Sequence, residues 1–335
     1  MTLEEFRAVL ADPPAADQAA RAAAAERQAT LTKPAGSLGR LEEIALFFAG
    51  WSGNPRPRIR RGRAAVFAGN HGVTAQGISA FPPAVTVQMV ANFQAGGAAI
   101  NALAKAAGLE LVVVPLALDR PTADFTTQPA MSETELVEAM AAGAAVVTAD
   151  TDLLVVGEMG IGNTTAAAAI CACLWGGGGA QWVGPGTGLD AAGMSRKAAV
   201  VDRAVALHGP AGDDPFATLA CVGGRELAAI AGAVLAARAA RVPVILDGFI
   251  TCAAVAPLAR ANPDILAHCL AGHCSAEPGH AALLARLSLT PLLRLDMRLG
   301  EGSGAAVAAS IVRAALAAHD EMATFAEAAV ATSSS

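Results

Sequence analysis

Residues 153–174 read LLVVGEMGIGNTTAAAAICACL, which is a short apolar run, a glycine-rich turn and an alanine-rich segment. The run at 153–156 contains only leucine and valine, the composition of a strand that a parallel sheet buries on both faces. The segment after the turn favours a helix, because alanine has the highest helix propensity. A strand followed by such a helix is half of a βαβ unit, so this stretch predicts an α/β fold.

The same alternation recurs along the chain. The predicted strands are 64–68, 111–116, 153–156, 242–246 and 293–297, with weaker apolar runs at 181–183, 219–222 and 265–269. The predicted helices are 85–107, 133–144, 164–174, 190–207, 225–238 and 302–318. Together they predict an α/β fold with a doubly wound, mostly parallel sheet flanked by helices.

Both chain ends lack strand signals. The first 60 residues hold helical patterns around a break at 33–37, and the last 30 are again helical. We expect residues 1–60 and about 306–330 to form a small helical lobe. A large α/β domain would then cover 61–305, followed by a flexible tail at 331–335.

Composition excludes several classes of protein. The chain has 335 residues, 54% of them hydrophobic, and a net charge of −6, which argues against nucleic acid as a partner. The arginines within 56–63 are interpreted as a solvated approach to the first strand. Six scattered cysteines indicate reduced thiols, so we expect a cytoplasmic protein. We expect no signal peptide and no membrane partner, since no apolar segment convincingly provides the ~20 residues of a membrane span.

Two glycine-rich turns indicate a phosphate site. Ligands of open α/β sheets bind at the carboxyl ends of strands. The turn at 157–165, which contains Glu158 and Gly160, follows a predicted strand, and the turn GPGTG at 184–188 precedes a helix that contains Lys197. Free N–H groups at such a helix start favour an anion. The spacing fits neither the dinucleotide nor the nucleoside-triphosphate motif.

Lys197 has two interpretations. Lysine occurs only at Lys33, Lys105 and Lys197, while arginine fills the other 20 of the 23 basic positions. Lys197 is either a solvated helix residue or a compact point charge that reaches a phosphate.

Glu301 also has two interpretations. It lies between glycines in LGEGSGAA at 299–306, at a predicted helix start. It either stabilises the helix dipole, by ~0.3–1 kcal/mol, or acts as a general base toward an N–H proton of a heterocycle.

A further turn, FAGNHGV at 67–73, continues through Ser79, Phe81 and Gln88 and offers polar groups to a ligand. The candidate metal ligands are His268, Cys269, His273 and Cys274. Only Cys269 and His273 have helical i, i+4 spacing and no second ligand pair follows, so zinc is not expected. No G-x-S-x-G motif supports serine hydrolysis.

Six motifs in order give a specific resemblance. They are TKPAGSLG at 32–39, GNHGV at 69–73, GEMGIGNTT at 157–165, GPGTG at 184–188, DGF at 247–249 and LGEGSG at 299–304. The chain resembles the nicotinate-nucleotide:dimethylbenzimidazole phosphoribosyltransferases of cobalamin biosynthesis. The resemblance implies a homodimer without metal or cofactor that moves phosphoribose from nicotinate mononucleotide to 5,6-dimethylbenzimidazole or a related base. The products would be α-ribazole 5′-phosphate and nicotinate.

The resemblance also implies roles for residues. Glu301 matches the catalytic base, and Glu158 matches an acidic residue beside the ribose. Matches to phosphate contacts are Gly160, Gly186, Lys197 and Gly248; matches to the base pocket are Ser79, Phe81, Gln88, Met159 and Leu299. Ser275 is expected to meet the nicotinate carboxylate. With no tyrosine in the chain, Phe81 is the candidate to replace any tyrosine of that pocket.

Two alternatives stay open. One is transfer of phosphoribose to another heterocycle or a phenol, which would share the fold and the phosphate site. The other is a non-catalytic module that binds a nucleotide or a benzimidazole, although two ligand-facing carboxylates argue for an enzyme.

Overall fold

Six parallel strands form one sheet in the computed structural model, which describes residues 1–186, 188–210, 212 and 214–331. The strands are β1 Gly62–Ala68, β2 Leu109–Pro115, β3 Leu153–Met159, β4 Val244–Leu246, β5 Cys269–His273 and β6 Pro291–Leu293. Their order across the sheet is β2-β1-β3-β4-β5-β6, and every neighbouring pair is parallel. The predicted fold class is confirmed, and the sheet is parallel throughout rather than mostly so.

Helices surround the sheet. In the described part of the chain they are α1 Leu3–Ala11, α2 Gln18–Thr30, α3 Arg40–Ser52, α4 Ala84–Ala95, α5 Ala99–Ala106, α6 Glu133–Ala144, α7 Asn163–Trp175, α8 Gly178–Trp182, α9 Ala191–His208, α10 Pro215–Val222, α11 Arg225–Ala239, α12 Phe249–Ala261, α13 Pro278–Arg286 and α14 Ser303–Glu321. Short 3-10 helices cover Gly72–Gln76 and Pro263–Leu266.

Alternate residues of each strand enter two separate cores. In β1, Ala65 and Phe67 pack with α6, α7, α11 and α12, whereas Ala64 and Val66 pack with α3, α5 and α14. Both faces of the central strands are therefore buried, which is why these strands are apolar except near their ends. Polar groups can reach a ligand only where the strands end.

Some sequence predictions were wrong. Residues 181–182 belong to helix α8 and residues 219–222 to helix α10, because a short apolar run has no period that separates strand from helix. The helix predicted at 85–107 is two helices, since Gly96, with φ of 82°, ends α4. The strand predicted at 265–269 is Cys269–His273, and that at 293–297 is Pro291–Leu293. Helices α12 and α13 were not predicted.

The two chain ends contact each other. Arg27 of α2 donates from Nε to the His319 carbonyl at 2.9 Å, and α3 packs against α14. In contrast, α1 packs against α11. The division into a lobe and an α/β domain stays a prediction. Of the predicted tail, only Ala331 lies within the described residues.

The arginine run before β1 is partly paired. Arg56 and Arg58 form ion pairs with Asp320 at 2.6 and 2.5 Å, and Arg61 pairs with Asp150 at 2.5 Å. These arginine side chains remain more than half exposed, in agreement with the solvated interpretation.

No described helix is long and apolar enough to cross a membrane.

Helices α6 and α11 approach each other through glycine. A Cβ added at Gly143 would lie 1.8 Å from the Ala229 carbonyl oxygen, and one added at Gly232 would lie 2.1 Å from that of Met140. Both distances are far inside van der Waals contact. The two helices can therefore pack this closely only with glycine at these positions.

We expect Gly232→Ala to lower the free energy of unfolding by about 1–3 kcal/mol, because the methyl group forces the two helix backbones apart. Urea denaturation of the full chain measures this. Gly212→Ala is the control, since an added Cβ there meets nothing within 4 Å. Equal effects of the two substitutions would contradict the packing argument.

Candidate active site

A cleft opens at the carboxyl ends of β3, β4 and β5 and beside the segment after β6. The strand ends of an α/β sheet are a common position for a small-molecule site. Seven of the predicted site residues line it: Glu158, Met159, Gly160, Gly186, Gly248, Ser275 and Leu299. Of the GPGTG turn, Thr187 lies outside the described residues.

Glu158 is buried at the wall of the cleft. Asn163, the first residue of α7, donates from Nδ2 to Glu158 Oε2. An added Cβ at Gly300 would lie 2.5 Å from Glu158 Oε1, so glycine is required there. Burial raises the pKa of the Glu158 carboxyl well above its ordinary value. Neighbouring carboxyl groups raise that pKa further; they belong to Asp247, Glu226 and Glu301.

Glu301 has a strained backbone, with φ of 63°. Its N–H donates to the Glu158 carbonyl at 3.2 Å, so the two acidic segments lie against each other. Burial raises the pKa of the Glu301 carboxyl, and the nearby N–H of Ile100 opposes this. The Oε2 atom is buried without a hydrogen-bond partner among the described residues. The carboxylate therefore lies toward α5, while the neighbouring Gly300 lines the cleft.

Asp247 is a site residue that sequence reasoning missed. It follows β4, and its Oδ1 accepts the N–H of Ala305 at 2.8 Å, in the first turn of α14. The N-cap residue Gly302 has no side chain, so Asp247 supplies the cap from another element. Burial raises the pKa of Asp247 to about 7, although the backbone N–H groups of Ala305, Gly302 and Gly304 oppose the shift. Its position at a strand end, next to the predicted Gly248, was the available signal.

Lys197 is buried, with 1% of its surface exposed, so the solvated interpretation is wrong. Its Nζ donates to Thr164 Oγ1 at 2.7 Å and to the Gly184 carbonyl at 3.1 Å. Burial lowers its pKa to about 8, and the charge of Glu277 opposes this. Lys197 thus lies directly behind the turn that contains Gly186, and Thr164 separates it from the cleft.

Lys33 forms a largely buried ion pair with Glu42 at 2.8 Å.

Ser275 and Arg298 add polar groups to the same cleft. The side chain of Ser275 lies 2.9 Å from His280 Nδ1, which also accepts the Ser275 N–H at 2.8 Å. Burial lowers the pKa of His280 to about 3, so this histidine is neutral. Arg298, which was not predicted, lines the cleft and donates from Nη1 to the Gly186 carbonyl at 3.1 Å. It provides an exposed cation at the rim.

Comparison with known proteins identifies the family. Residues 13–330 match the family model described as phosphoribosyltransferase. A nicotinate-nucleotide–dimethylbenzimidazole phosphoribosyltransferase from Novosphingobium aromaticivorans is 66% identical over 330 residues, 98% of this chain and 98% of that relative. The chain belongs to this phosphoribosyltransferase family. The resemblance found in the six motifs is thereby confirmed.

Two further members of this family are similar to the chain over nearly its whole length. A relative of the same name from Ruegeria sp. is 59% identical over 98% of this chain and 97% of its own length. The crystal structure of the enzyme of that name from Thermus thermophilus superposes with a TM-score of 0.87 at 41% identity, covering 95% of this chain and 100% of that chain.

Three residues that the family resemblance assigned to the base pocket lie outside the cleft wall. Ser79 and Phe81 precede α4, Gln88 lies on it, and Phe81 is 48% exposed. The Ile161 N–H donates to Thr86 Oγ1 at 3.2 Å, which holds α4 near the glycine turn after β3. The role of Ser79, Phe81 and Gln88 in the base pocket stays a prediction.

The four candidate metal ligands lie on or beside strand β5, so the i, i+4 spacing of Cys269 and His273 is not helical. Within the described ranges, no group of three or more histidine, cysteine, aspartate or glutamate side chains is arranged to hold a metal ion.

We expect Asp247→Asn to change how stability depends on pH. Because the folded pKa of about 7 lies above the ordinary value of 3.8, the carboxyl stabilises the fold at low pH and loses this contribution as pH rises through 7. The variant should therefore lose less stability than the wild type between pH 5.5 and 8.5, by roughly 1–3 kcal/mol. Thermal and urea unfolding at pH 5.5 and pH 8.5 measure this difference in stability.

Asp17→Asn is the matched control, since Asp17 caps α2 at an exposed position through the Ala20 N–H at 2.9 Å. Its unfolding should keep the wild-type pH dependence. An Asp247→Asn variant with the same pH dependence as the wild type would contradict the assigned environment.

Proposed function

We propose that the protein transfers phosphoribose from nicotinate mononucleotide to 5,6-dimethylbenzimidazole or a related base. The products are α-ribazole 5′-phosphate, for the nucleotide loop of cobalamin, and nicotinate. One observation carries the proposal: Glu158, Glu301 and the glycine turns meet at one sheet edge in a chain 66% identical to a relative of that name.

The glycine turns support a phosphate and ribose site at the cleft. Gly160, Gly186 and Gly248 line it, and α12 begins directly after Gly248 without a side-chain cap. The first N–H groups of that helix are therefore available to an anion. Lys197 adds positive charge behind Thr164, which faces the cleft. We assign the 5′-phosphate to this end.

Ser275 and Arg298 support the nicotinate end. Nicotinate carries a carboxylate, for which a guanidinium is a favourable partner. Because the backbone N–H of Ser275 already occupies His280 Nδ1, the serine hydroxyl can turn toward the ligand without leaving that nitrogen unpaired. We assign the nicotinate carboxylate to these two residues.

The reaction itself requires little from the protein beyond position and charge. The bond from C1′ to the nicotinate nitrogen breaks, and its electron pair converts a cationic ring into neutral pyridine, so no metal or strong acid is needed. One nitrogen of the base attacks C1′ from the opposite face and gives the α-anomer. The base then becomes cationic and loses its other N–H proton to Glu301. Holding both rings against the ribose provides much of the acceleration.

The pKa of both acids is raised, but by different causes, and we assign the two acids different roles. Glu158 favours its protonated form, since burial and three neighbouring carboxyl groups raise its pKa. A protonated Glu158 avoids repulsion of an anionic substrate and can donate to a ribose hydroxyl. Burial also raises the pKa of Glu301, which suits a base that must hold the released proton.

The base is assigned to the side of the cleft that faces α4 and α5. Met159 and Leu299 line the cleft there, and the carboxylate of Glu301 lies toward Ile100. Ser79, Phe81 and Gln88 complete this assignment from α4 and the segment before it. We further propose a cytoplasmic homodimer, for which the support is the family resemblance and the six free cysteines.

Purified protein is expected to release nicotinate from nicotinate mononucleotide when 5,6-dimethylbenzimidazole is added, with α-ribazole 5′-phosphate identified by mass.

Glu301→Gln should lower kcat about 100-fold or more while both substrates still bind. The wild-type kcat/KM for the base should rise with pH through a value above 4.5, because Glu301 must be ionised and its pKa is raised.

Glu133→Gln, at an exposed position on α6, is the control and should leave kcat unchanged. Binding without turnover under every tested base would favour the non-catalytic module. Competition between candidate bases, read by product mass, decides whether another heterocycle or a phenol is preferred.

Lys197→Arg tests the phosphate assignment. The buried position fits a compact ammonium between Thr164 and Gly184, and a planar guanidinium is too large for it. We expect the KM for nicotinate mononucleotide to rise about tenfold or more. Lys105→Arg, on the exposed side of α5, should keep the wild-type KM. A normal KM in Lys197→Arg would remove Lys197 from the phosphate site.

A further inference from the structure

A buried pair of side chains lies under the cleft without lining it. His71 Nε2 is hydrogen-bonded to Glu226 Oε1, and neither side chain has any exposed surface. His71 belongs to the GNHGV motif, for which a ligand-facing role was predicted; the structure buries it instead. Glu226 was not predicted and lies in the first turn of α11.

Three glycines lie close around the Glu226 carboxylate. An added Cβ at Gly69 would lie 2.3 Å from Oε2, one at Gly224 would lie 3.0 Å from Oε2, and one at Gly160 would lie 2.9 Å from Oε1. Gly69 follows β1 and Gly160 follows β3, two adjacent strands of the sheet. The carboxylate therefore fills the crevice between these strand ends, where open α/β sheets commonly bind a ligand.

This crevice lies next to Glu158. The Gly69 N–H donates to the Met159 carbonyl at 3.0 Å, so the turns after β1 and β3 are joined directly. Gly160 rests on Glu226, and Asn163, three residues later, holds the Glu158 carboxyl through its side-chain amide. A shift of Glu226 would displace this turn and with it the Glu158 carboxyl.

We propose that His71 and Glu226 are positioning residues that hold the turn at 157–162 and thereby fix Glu158 beside the reacting ribose. This inference rests on the proposed function. His71 contributes by satisfying Glu226 Oε1; without it, Glu226 would be a buried carboxylate with neither oxygen hydrogen-bonded. Neither residue lines the cleft.

The first test separates kcat from KM. In His71→Ala, kcat should fall about tenfold or more, while the KM for nicotinate mononucleotide changes less than about threefold. His71→Gln should recover much of the loss, because its amide can reach Glu226 from the position of Nε2. Wild-type turnover in the same assay tests the proposed function, and the ratio of variant to wild type tests this inference.

The second test reads Glu158 directly. The titratable groups that face it are Asp247, Glu226 and Glu301. Glu226→Asp keeps a carboxylate but shortens the side chain by one methylene, which withdraws it from Gly69 and Gly160, so the turn loses its support. The Glu158 signal is the ¹³C carboxyl resonance of labelled glutamate that disappears in Glu158→Gln. In Glu226→Asp this resonance should titrate at a different pH from the wild type, because the turn no longer fixes the Glu158 carboxyl. The resonance needs no turnover, so it tests the inference even if the proposed function fails.

His268→Ala is the matched control. His268 is also fully buried and is hydrogen-bonded through Nε2 to the Val234 carbonyl at 3.1 Å. It directly precedes β5, so it lies at the amino ends of the strands, away from the cleft. This variant should lose stability and keep the wild-type kcat and Glu158 titration. A wild-type kcat in folded His71→Ala would overturn the inference. If His71→Ala does not fold, an unchanged Glu158 titration in Glu226→Asp would overturn it.

Discussion

Helices bury both faces of the parallel sheet, and this burial restricts charged side chains to the ends of the strands. Along β3, the residues at 153–156 have no exposed surface, and Glu158 follows at the end of the same strand. Asp247 comes directly after β4 in the same way. Since parallel strands all end at one edge, the acids, the glycine turns and the helix starts meet there. The position of the cleft follows from the direction of the strands.

Gathering carboxyl groups at one buried edge destabilises the fold. The pKa values of Glu158, Asp247 and Glu301 are all raised, which means that burial disfavours their charged forms. Hydrogen bonds from backbone and side-chain donors offset part of this. Such opposition between stability and a functional arrangement is common at active sites. For Glu158, neighbouring carboxyl groups raise the pKa in addition to burial.

Small residues make these close approaches possible. Glycine lets α6 and α11 touch backbone to backbone, and glycine at positions 69, 160 and 224 leaves room for the Glu226 carboxylate. The alanine-rich composition serves the same purpose in both cores. The glycine turns visible in the sequence therefore have two different positions: some line the cleft, and some leave room for a side chain of the protein itself.

The sequence by itself determined the α/β class, most strand positions and the turns at the strand ends, because apolar runs, alanine-rich helices and glycines act locally. Six ordered motifs also determined the family. Only the tertiary structure decided which groups meet. Asp247 caps a helix 58 residues away, and His71 pairs with Glu226 at a separation of 155. It also decided that Lys197 is buried. These contacts depend on the order of strands across the sheet, and hydrogen bonds between residues so far apart leave no local pattern in the chain.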